Sequence, residues 1–571
     1  MAGSSDERAL ATSLAAMSDA RLATLLAARA VPPSAGARDF FDLADWLLSD
    51  SALDRALAET PAASLTALCA DRVADADART TLHARALIDD EGRPYRAVRE
   101  RIAARGPDLA ASTQDSPPVV PASAPAVAAA AERAFTSVSA LTDILLAAFS
   151  SPLARTAAGP VIVAERRSLV EDGAVADAAE LEDLLTLGIS AALLHDVGRA
   201  WSATAQAQEW IARRTAERWD EVARAFVRAL PAGIRTADGG FVAPAGWSGA
   251  YPLDAGWHAR ADALLRAGIR WGIFTDDGTE PPWTTPLRRA GTPDLEALGA
   301  HLPAEIDRVY LQADLTAIAP GPLRPDLEQR LRTMAVRETR AQASTYRFSA
   351  QSLAGAVSGG ETAASLRSFL GELSLSGIPQ PLDYLIESTA ARHGLVQVAE
   401  DPETGRAIVR SDDAQALLTI AVDQALRPLG LVEESGQLRS RVSRDTVYWA
   451  LADARYPVVA VDAAGRPQRV TSRVASVAPQ PRPAERYAAL IATLRGSHDE
   501  NADAAWLERE LEQAVRSHTL LEVVVRLPDG ATRVLTMEAT GLGGGRLRGR
   551  DRAADVERTL PLSSIESARP L

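Results

Sequence analysis

The sequence predicts a multidomain protein that is mainly α-helical and carries small α+β modules. At 571 residues it is long enough for about three to five domains. Alanine and leucine recur at helical spacing over long stretches, while aromatic residues make up only 5% of the chain. Stretches rich in proline, serine and alanine interrupt this pattern at 107–127 and 474–499. We expect, in chain order, a helical domain, a winged-helix-like unit, a small α+β domain with an extension, and a small β-barrel of the SH3/Sm-like kind.

Charge and composition exclude several classes of activity. The net charge of −14 and the pI near 5.2 argue against binding nucleic acid through overall charge, so such a role must rest on local basic patches. The chain has no lysine, and all 61 basic residues are arginine. A P-loop needs a lysine to reach the nucleotide phosphates, so the chain holds no Walker A ATPase site. Because no catalytic constellation is visible either, we expect no enzymatic activity, no cofactor and no metal.

Residues 8–106 are predicted to form a helical N-terminal domain. Leu10 and Leu14 begin an apolar stripe at helical spacing, and Ser18 is placed to cap the second helix. The single cysteine, Cys69, lies in an apolar helical run and is expected to be buried. One cysteine allows no internal disulfide, and neither a signal peptide nor a membrane span is visible. We therefore expect a cytoplasmic protein without a membrane contact, nucleoid-associated if it binds DNA.

A linker at 107–127 precedes a second unit at 128–300. Two helical stretches, a strand–turn–strand pattern and a long helix follow one another, which is typical of a winged helix-turn-helix. However, Glu180, Glu182 and Asp183 lie on the expected recognition helix, where they would repel phosphates. A helical unit that only packs against its neighbours is therefore the alternative.

Two features of this unit could carry function. The first lies in its irregular last part, 231–300. Its tryptophans are Trp247, Trp257, Trp271 and Trp283. Tryptophan can stack on nucleic-acid bases, but we favour the interpretation that these residues anchor loops to a core. Earlier in the unit, His195 and Asp196 lack the further ligands that a metal site requires, so we expect the pair to face solvent.

The stretch 301–400 is predicted to be a compact α+β domain. A strand is predicted to begin at Val309, and a helix follows at Pro325. Thr345–Phe348, with the sequence TYRF, is predicted to be a second strand. Ser349 is placed to cap the next helix. Two further helices and a strand complete the domain.

Three runs of this domain carry a resemblance to known proteins: LQADLTAIAPGPL, TYRFSAQSLAGAVSGG and IPQPLDYLIESTAARHG. In this order they resemble the helicase-associated domain at the N-terminal side of the motor in XPB-type DNA helicases. They resemble even more a bacterial, actinobacterial-type family of helicase-associated proteins that carry this module without a motor. The resemblance implies contact with DNA, and an XPB-type helicase or another DNA-processing enzyme as partner.

Residues 401–473 are predicted to be an α/β extension with a basic patch. From Arg439 to Arg495 the sequence holds ten arginines and four acidic residues, a local excess of positive charge in an acidic chain. Such an excess favours contact with phosphates, while ion pairing with acidic parts of the same chain is the alternative. The candidate nucleic-acid-binding residues are Arg439, Arg441, Arg444, Arg455, Arg466, Arg469 and Arg473.

A second linker, 474–499, precedes the last domain, 500–571. Helical spacing around Leu507 is followed by alternating strands and turns, which predict the small barrel. The glycine run Gly541–Gly545 is expected to be a hairpin turn, although glycines can also cradle phosphate. The domain resembles the WYL domains of bacterial regulators, which implies a nucleic-acid or nucleotide ligand, but the Trp-Tyr-Leu triplet itself is absent. The candidate ligand-binding residues are Arg546, Arg548 and Arg550.

Three functions are compatible with these observations. The first is a non-catalytic DNA-associated accessory protein that acts with an XPB-type helicase or another DNA-processing enzyme, in repair or transcription. The second is a ligand-responsive transcription regulator, in which the winged unit reads DNA and the C-terminal domain senses a ligand. The third is a scaffold that binds protein alone, which suits the acidic balance.

Overall fold

The chain folds as two compact units, each assembled from stretches that lie far apart in the sequence. The terminal unit contains Met1–Asp115, Ser248–His258 and Pro479–Leu571, and the central unit contains Ser116–Trp247 and Ala259–Ala478. About half of the described residues are helical and several small sheets accompany them, so the expected multidomain, mainly helical class is confirmed. The computed structural model describes residues 3–105, 121–157, 159–339, 343–392, 396–401, 404–454, 456–462, 465, 482–496, 507, 511–512, 514–515, 520–527 and 530–570.

The N-terminal part of the terminal unit is a bundle of short helices around one leucine-rich core. Ser18 caps α2 by accepting a hydrogen bond from the backbone N–H of Arg21, as the sequence predicts. Cys69 follows the last turn of α5 on its solvent side and is exposed, so the prediction that it is buried is wrong. The helices are α1 (Gly3–Ala16), α2 (Asp19–Ala28), α3 (Phe40–Leu48), α4 (Asp50–Ala58), α5 (Ala62–Leu68), α6 (Ala76–Ala84) and α7 (Arg96–Ala104).

The central unit begins with the long helix α8 (Ala124–Ser150). This helix starts inside the predicted linker, because the side chain of Ser123 caps its first turn by accepting a hydrogen bond from the backbone N–H of Ala126. The earlier part of that linker, 107–120, lies outside the described residues. The next elements are β1 (Leu153–Ala154), α9 (Val163–Glu171), α10 (Ala178–Ser190), β2 (Leu194–Asp196), β3 (Ala200–Ala203), α11 (Ala205–Ile211), α12 (Thr215–Ala229), α13 (Trp257–Arg270), α14 (Thr284–Ala290) and α15 (Leu295–Gly299). β1, β3 and β2 pair in this order as an antiparallel sheet. The winged-helix assignment itself stays a prediction.

The four tryptophans named from the sequence are buried, which confirms that they anchor loops to a core. Trp219 and Trp271 donate their indole N–H groups to each other's backbone carbonyls, over 2.5 and 3.0 Å. Trp283 donates in the same way to Gly272, over 2.9 Å. The irregular stretch is thus fixed by hydrogen bonds from buried rings.

The following α+β module contains β4 (Tyr310–Leu311), β5 (Thr316–Ala319), α16 (Pro325–Met334), β6 (Val336–Thr339), β7 (Ser344–Arg347), α17 (Ala350–Ser358), α18 (Ala363–Leu373) and α19 (Gln380–Arg392). Its strands form an antiparallel sheet in the order β4-β5-β7-β6. The sequence predicted one strand from Val309 onwards, but Leu315 adopts a φ of +66° and divides it into β4 and β5. Ser349 caps α17 as predicted, in a capping box with Ser352.

Residues 396–462 form a second sheet in the order β10-β11-β9-β8-β12, in which β8 and β12 are parallel. Its elements are β8 (Val396–Glu400), β9 (Ala407–Arg410), α20 (Ala414–Val422), β10 (Val432–Glu434), β11 (Gln437–Arg439), α21 (Arg444–Asp453) and β12 (Val458–Ala460). Val396 and Val398 of β8 share a core with Val409 and Leu438 of this sheet. The predicted domain boundary at 400 therefore falls inside a sheet, and β8 belongs with the residues that follow it.

The chain returns to the N-terminal helices after residue 481. α22 (Pro483–Arg486) leads into helical residues 488–496, and Tyr487, Leu490 and Leu494 join the core of the helical bundle. The predicted linker 474–499 is therefore wrong over 482–496, because its apolar residues are buried. Its parts 474–481 and 497–499 lie outside the described residues.

The last stretch of the terminal unit is an antiparallel sheet in the order β16-β15-β14-β13-β17. Its strands are β13 (Leu520–Arg526), β14 (Thr532–Gly543), β15 (Arg546–Asp551), β16 (Val556–Pro561) and β17 (Ile565–Pro570). A register shift between Ala539 and Gly541 interrupts the β14–β15 ladder. The predicted closed barrel is wrong, because the edge strands β16 and β17 do not pair with each other within the described residues.

Candidate nucleic-acid interface

The strand β15 presents three arginines on the outer face of the C-terminal sheet. Arg546, Arg548 and Arg550 are exposed, and the residues between them face the core. Between Arg548 and Arg550, the backbone of Gly549 packs closely against β14. A Cβ atom at this position would lie 2.7 Å from the backbone oxygen of Glu538, so the position leaves no room for a side chain. The three candidate ligand-binding arginines of the sequence thus lie on one face.

The three arginines differ in their partners. Arg550 donates to the carboxylate of Asp555 through Nε and Nη2, over 2.8 and 2.7 Å. Arg546 and Arg548 form no ion pair with any described residue. Two of the three guanidinium groups are therefore available to an external anion.

The strands on both sides of Arg546 and Arg548 are uncharged at the facing positions. The facing residues are Gly541 and Gly543 on β14, and Thr559 and Pro561 on β16. Because glycine has no side chain, the guanidinium groups are uncovered on the β14 side. An open sheet face with two unpaired arginines suits the phosphates of a nucleic-acid backbone, which guanidinium groups bind through paired hydrogen bonds.

The glycine run next to these arginines is a hairpin turn, as the sequence predicts. Gly544 and Gly545 connect β14 to β15 with φ values of +60° and +71°. A two-residue turn with positive φ at both positions matches the right-handed twist of the strands that it joins. The turn places Arg546 as the first residue of β15.

The basic patch predicted at 439–473 is largely neutralised where it is described. Arg439 pairs with Asp401 and Glu434 over 3.1 and 3.3 Å. Arg444 pairs with Asp445 over 2.9 Å. These two arginines follow the alternative of pairing within the chain.

The other residues of that patch fall into two groups. Arg441 is exposed and makes no ion pair with a described residue. Arg455, Arg466, Arg469 and Arg473 lie outside the described residues. Among the three candidate residues that the structure describes, Arg441 is the one without an ion pair, and the patch as a whole stays a prediction.

The arginines counted beyond residue 473 belong to the terminal unit, whereas Arg439, Arg441 and Arg444 belong to the central unit. Arg495 donates to Asp19 over 3.1 Å and to the backbone oxygens of Ala15 and Met17. Its guanidinium also lies 5.2 Å from the ring centroid of Phe40. Arg495 thus holds the returning helix on the N-terminal bundle.

The helix α10, the expected recognition helix, offers no cation to DNA. Its sequence contains no basic residue, and its exposed face includes Thr186, Ile189 and Ser190. Burial raises the pKa of Asp183. Glu180 is buried, and its carboxylate accepts a hydrogen bond from the backbone N–H of Ala176. The geometry favours a packing role for this helix.

His195 and Asp196 do not face solvent as a pair. Asp196 forms an ion pair with Arg155, and both ring nitrogens of His195 are buried without a hydrogen-bond partner among the described residues. Within the described residues, no group of three or more histidine, cysteine, aspartate or glutamate side chains is placed to hold a metal ion. No described helix has the length and apolarity that a membrane crossing needs.

Comparison with known families identifies a helicase-related segment in the central unit. Residues 309–435 match a helicase conserved C-terminal domain. The match covers about a fifth of the chain and spans the α+β module together with β8, β9, α20 and β10. No curated protein matches the chain. The resemblances to the XPB-type N-terminal-side domain, to the actinobacterial-type family and to WYL domains stay predictions.

Most arginines of the helicase-related segment are engaged in ion pairs. Arg330 binds Glu361 through two bonds of 2.9 and 3.0 Å, and its guanidinium lies 4.4 Å from the ring centroid of Phe369. The other described pairs between 309 and 391 are Arg324 with Asp326, Arg332 and Arg337 with both Asp143 and Glu328, Arg347 with Glu338, and Arg367 with Asp383 and Glu387. This segment therefore uses most of its described cations in ion pairs within itself and with Asp143 of α8.

Asp143 of α8 anchors the helicase-related segment within the central unit. Its buried carboxylate accepts hydrogen bonds from Arg332, over 2.5 Å, and from Arg337. Arg337 also donates to Glu328 over 3.1 Å, and the hydroxyl of Tyr346 donates to the same oxygen over 3.2 Å. Burial and the neighbouring charge of Glu328 raise the pKa of Tyr346, which keeps its hydroxyl protonated.

Proposed function

We propose that the protein is a non-catalytic, helicase-related accessory protein that contacts DNA through Arg546 and Arg548. The observation that carries the proposal is that these two exposed guanidinium groups lie on one face of the sheet opposite uncharged residues and have no carboxylate partner among the described residues. The match of 309–435 to a helicase domain supplies the context. The partner that we propose is an XPB-type helicase or another DNA-processing enzyme, in the cytoplasm at the nucleoid.

A role without a motor of its own is supported by the absence of lysine. A P-loop ATPase needs that side chain at the β- and γ-phosphates. We expect two arginines on an open sheet face to contact phosphates and not base edges, so binding should be nonspecific in sequence and sensitive to salt.

The test is fluorescence anisotropy of the full chain with labelled single-stranded, forked and duplex DNA over a range of salt concentrations. Replacing Arg546 and Arg548 together with alanine should weaken binding equally for all sequences. Each phosphate contact contributes about 0.7 to the slope of log K against log salt on single strands, so the slope should fall by about 1.4. The matched control is Arg550→Ala on the same strand and face, which removes an arginine already paired with Asp555 and should change affinity less than twofold.

Two further arms separate the alternatives. Arg441→Ala tests the predicted patch through its exposed described member, and a larger effect there than at Arg546 and Arg548 would move the interface to the central unit. Binding to one preferred duplex sequence, abolished by Thr186→Glu with Ser190→Glu on α10, would favour the transcription regulator. Absence of binding at every salt concentration would favour the protein-only scaffold.

A further inference from the structure

The central unit contains a cavity of about 680 Å³ between α8, α12 and the helicase-related segment. This volume is in the range of small-molecule sites, and all of its described walls belong to one compact unit. One of its walls carries Arg218, a cation of α12 that no part of the proposed DNA contact uses.

Arg218 is a buried cation without a counter-ion. The residue is 94% buried, and no carboxylate of a described residue lies within ion-pair distance. Its Nη1 donates to the hydroxyl of Thr142 over 2.9 Å and its Nη2 to that of Thr215 over 3.5 Å, while Nε has no hydrogen-bond partner. Burial lowers the pKa of Arg218, so its surroundings oppose the charge that it carries.

The carboxylates nearest to Arg218 are engaged elsewhere. Glu328 accepts hydrogen bonds from Arg337 and Tyr346, and Glu305 accepts from the N–H and the hydroxyl of Thr215 over 3.1 and 3.3 Å. Arg337, by contrast, has two carboxylates, since it also binds Asp143. Of the two arginines that line the cavity, Arg218 is the one that lacks a negative partner.

The remaining walls restrict what can fill the space. They are apolar at Phe135, Val138 and Leu323, and they carry the carboxylates of Glu132 and Glu328. Two acids in the wall disfavour a polyanion such as a nucleoside triphosphate, whereas the unpaired guanidinium favours one negative group.

We propose that this cavity binds a small molecule with an apolar body and a single carboxylate or phosphate group, which pairs with Arg218. The negative group of such a ligand serves as the counter-ion of Arg218. Its apolar body contacts both α8 and the helicase-related segment. The proposal is independent of the DNA contact at the C-terminal sheet, because no residue is shared between them.

The test is isothermal titration of the full chain with 1-naphthoate, 1-naphthyl phosphate and uncharged 1-naphthol. At least one of the two anions should bind with one-to-one stoichiometry at least tenfold more tightly than the naphthol, and the stronger anion identifies the head group. Arg218→Met should abolish this preference while leaving the affinity for naphthol within twofold. Arg308→Met, an exposed arginine that does not line the cavity, is the matched control and should keep the preference.

A second variant and a stability measurement distinguish a specific loss of ligand binding from misfolding of the variant. Thr136→Leu adds bulk to the cavity wall without touching the ion pairs, and it should weaken all three compounds. Arg218→Met should melt at the same temperature as the natural chain or higher, since it removes an uncompensated buried charge. Equal affinities for anions and naphthol, a preference that survives Arg218→Met, or no binding of any compound would overturn the proposal.

Discussion

Arg332 of α16 donates a hydrogen bond of 2.5 Å to the carboxylate of Asp143 of α8, across 189 residues of sequence. Arg337 binds the same carboxylate from β6. Asp143 thus binds two cations that belong to the helicase-related segment, and Glu328 contacts the same two arginines. The position of this segment in the central unit therefore depends on a residue far outside it.

We expect Asp143→Asn to destabilise the central unit by about 3 to 5 kcal/mol, because it breaks two buried ion pairs and leaves Glu328 to face both Arg332 and Arg337. Urea unfolding followed by tryptophan fluorescence measures the loss, since several buried tryptophans lie in this unit. The control is Asp326→Asn in the exposed pair with Arg324, where the expected cost is about 0 to 1 kcal/mol. Equal losses in the two variants would contradict the anchoring role of Asp143.

The hydroxyl of Tyr487 should contribute to holding the returning helix on the N-terminal bundle. It donates to the backbone oxygen of Val31 over 2.8 Å in a buried site. Tyr487→Phe should cost about 1 kcal/mol and speed hydrogen exchange in residues 488–496. Tyr384→Phe, at a tyrosine that is 74% exposed, should change neither quantity. Unaltered exchange in the Tyr487 variant would show that the contact adds nothing.

The lowered pKa of Asp54 predicts that the stability of the protein changes at acid pH. Hydrogen bonds from Arg101, then from Arg105, lower the pKa of Asp54 to about 2, against about 3.9 in an unfolded chain. Because the folded pKa is the lower one, the stabilisation is complete above about pH 4 and is lost as the pH falls towards 2. The difference in melting temperature between the natural chain and Asp54→Asn should be constant from pH 5 to 8 and shrink below pH 4.

The control for this pH series is Asp71→Asn. Asp71 is fully exposed and its ion pair with Arg99 is 3.9 Å long, so the substitution should leave stability unchanged at every pH. A difference for Asp54→Asn that stays the same down to pH 2 would mean that its pKa is not lowered.

Gly549→Ala should disturb the arginine face of β15. The added methyl would meet the backbone oxygen of Glu538 at 2.7 Å and the side chain of Met537 at 2.9 Å. We expect a cost of about 1 to 3 kcal/mol and weaker DNA binding, since Arg548 lies next to the strained position. Gly543→Ala is the control, because a methyl there meets nothing within 4 Å. Thermal melts and the anisotropy assay measure both effects, and similar behaviour of the two variants would argue against tight packing at Gly549.

Local features of the fold could be predicted from the sequence, whereas its long-range pairings could not. Ser18 and Ser349 were predicted as caps, since a capping bond depends on residues two or three positions away. The open C-terminal sheet and the membership of β8 in the second sheet depend on partners that no local pattern specifies.

The same distinction applies to the candidate site. Alternation along one strand was enough to place Arg546 and Arg548 on a common face. The count of charges from Arg439 onwards takes no account of ion pairing, which in the folded chain joins Arg439 to Asp401 and Glu434. The cavity at Arg218 had no sequence signal, since its walls come from elements on both sides of residue 300.

The hydrogen bond from Tyr487 to Val31 spans 456 residues, and this distance has a consequence for synthesis. At about 5 to 20 residues per second, a ribosome needs on the order of 20 to 90 s to deliver the second partner after the first. During that interval the N-terminal helices have left the exit tunnel with part of their apolar surface uncovered. A nascent chain of this protein should therefore depend on chaperones until Tyr487 and the residues that follow it have been synthesised.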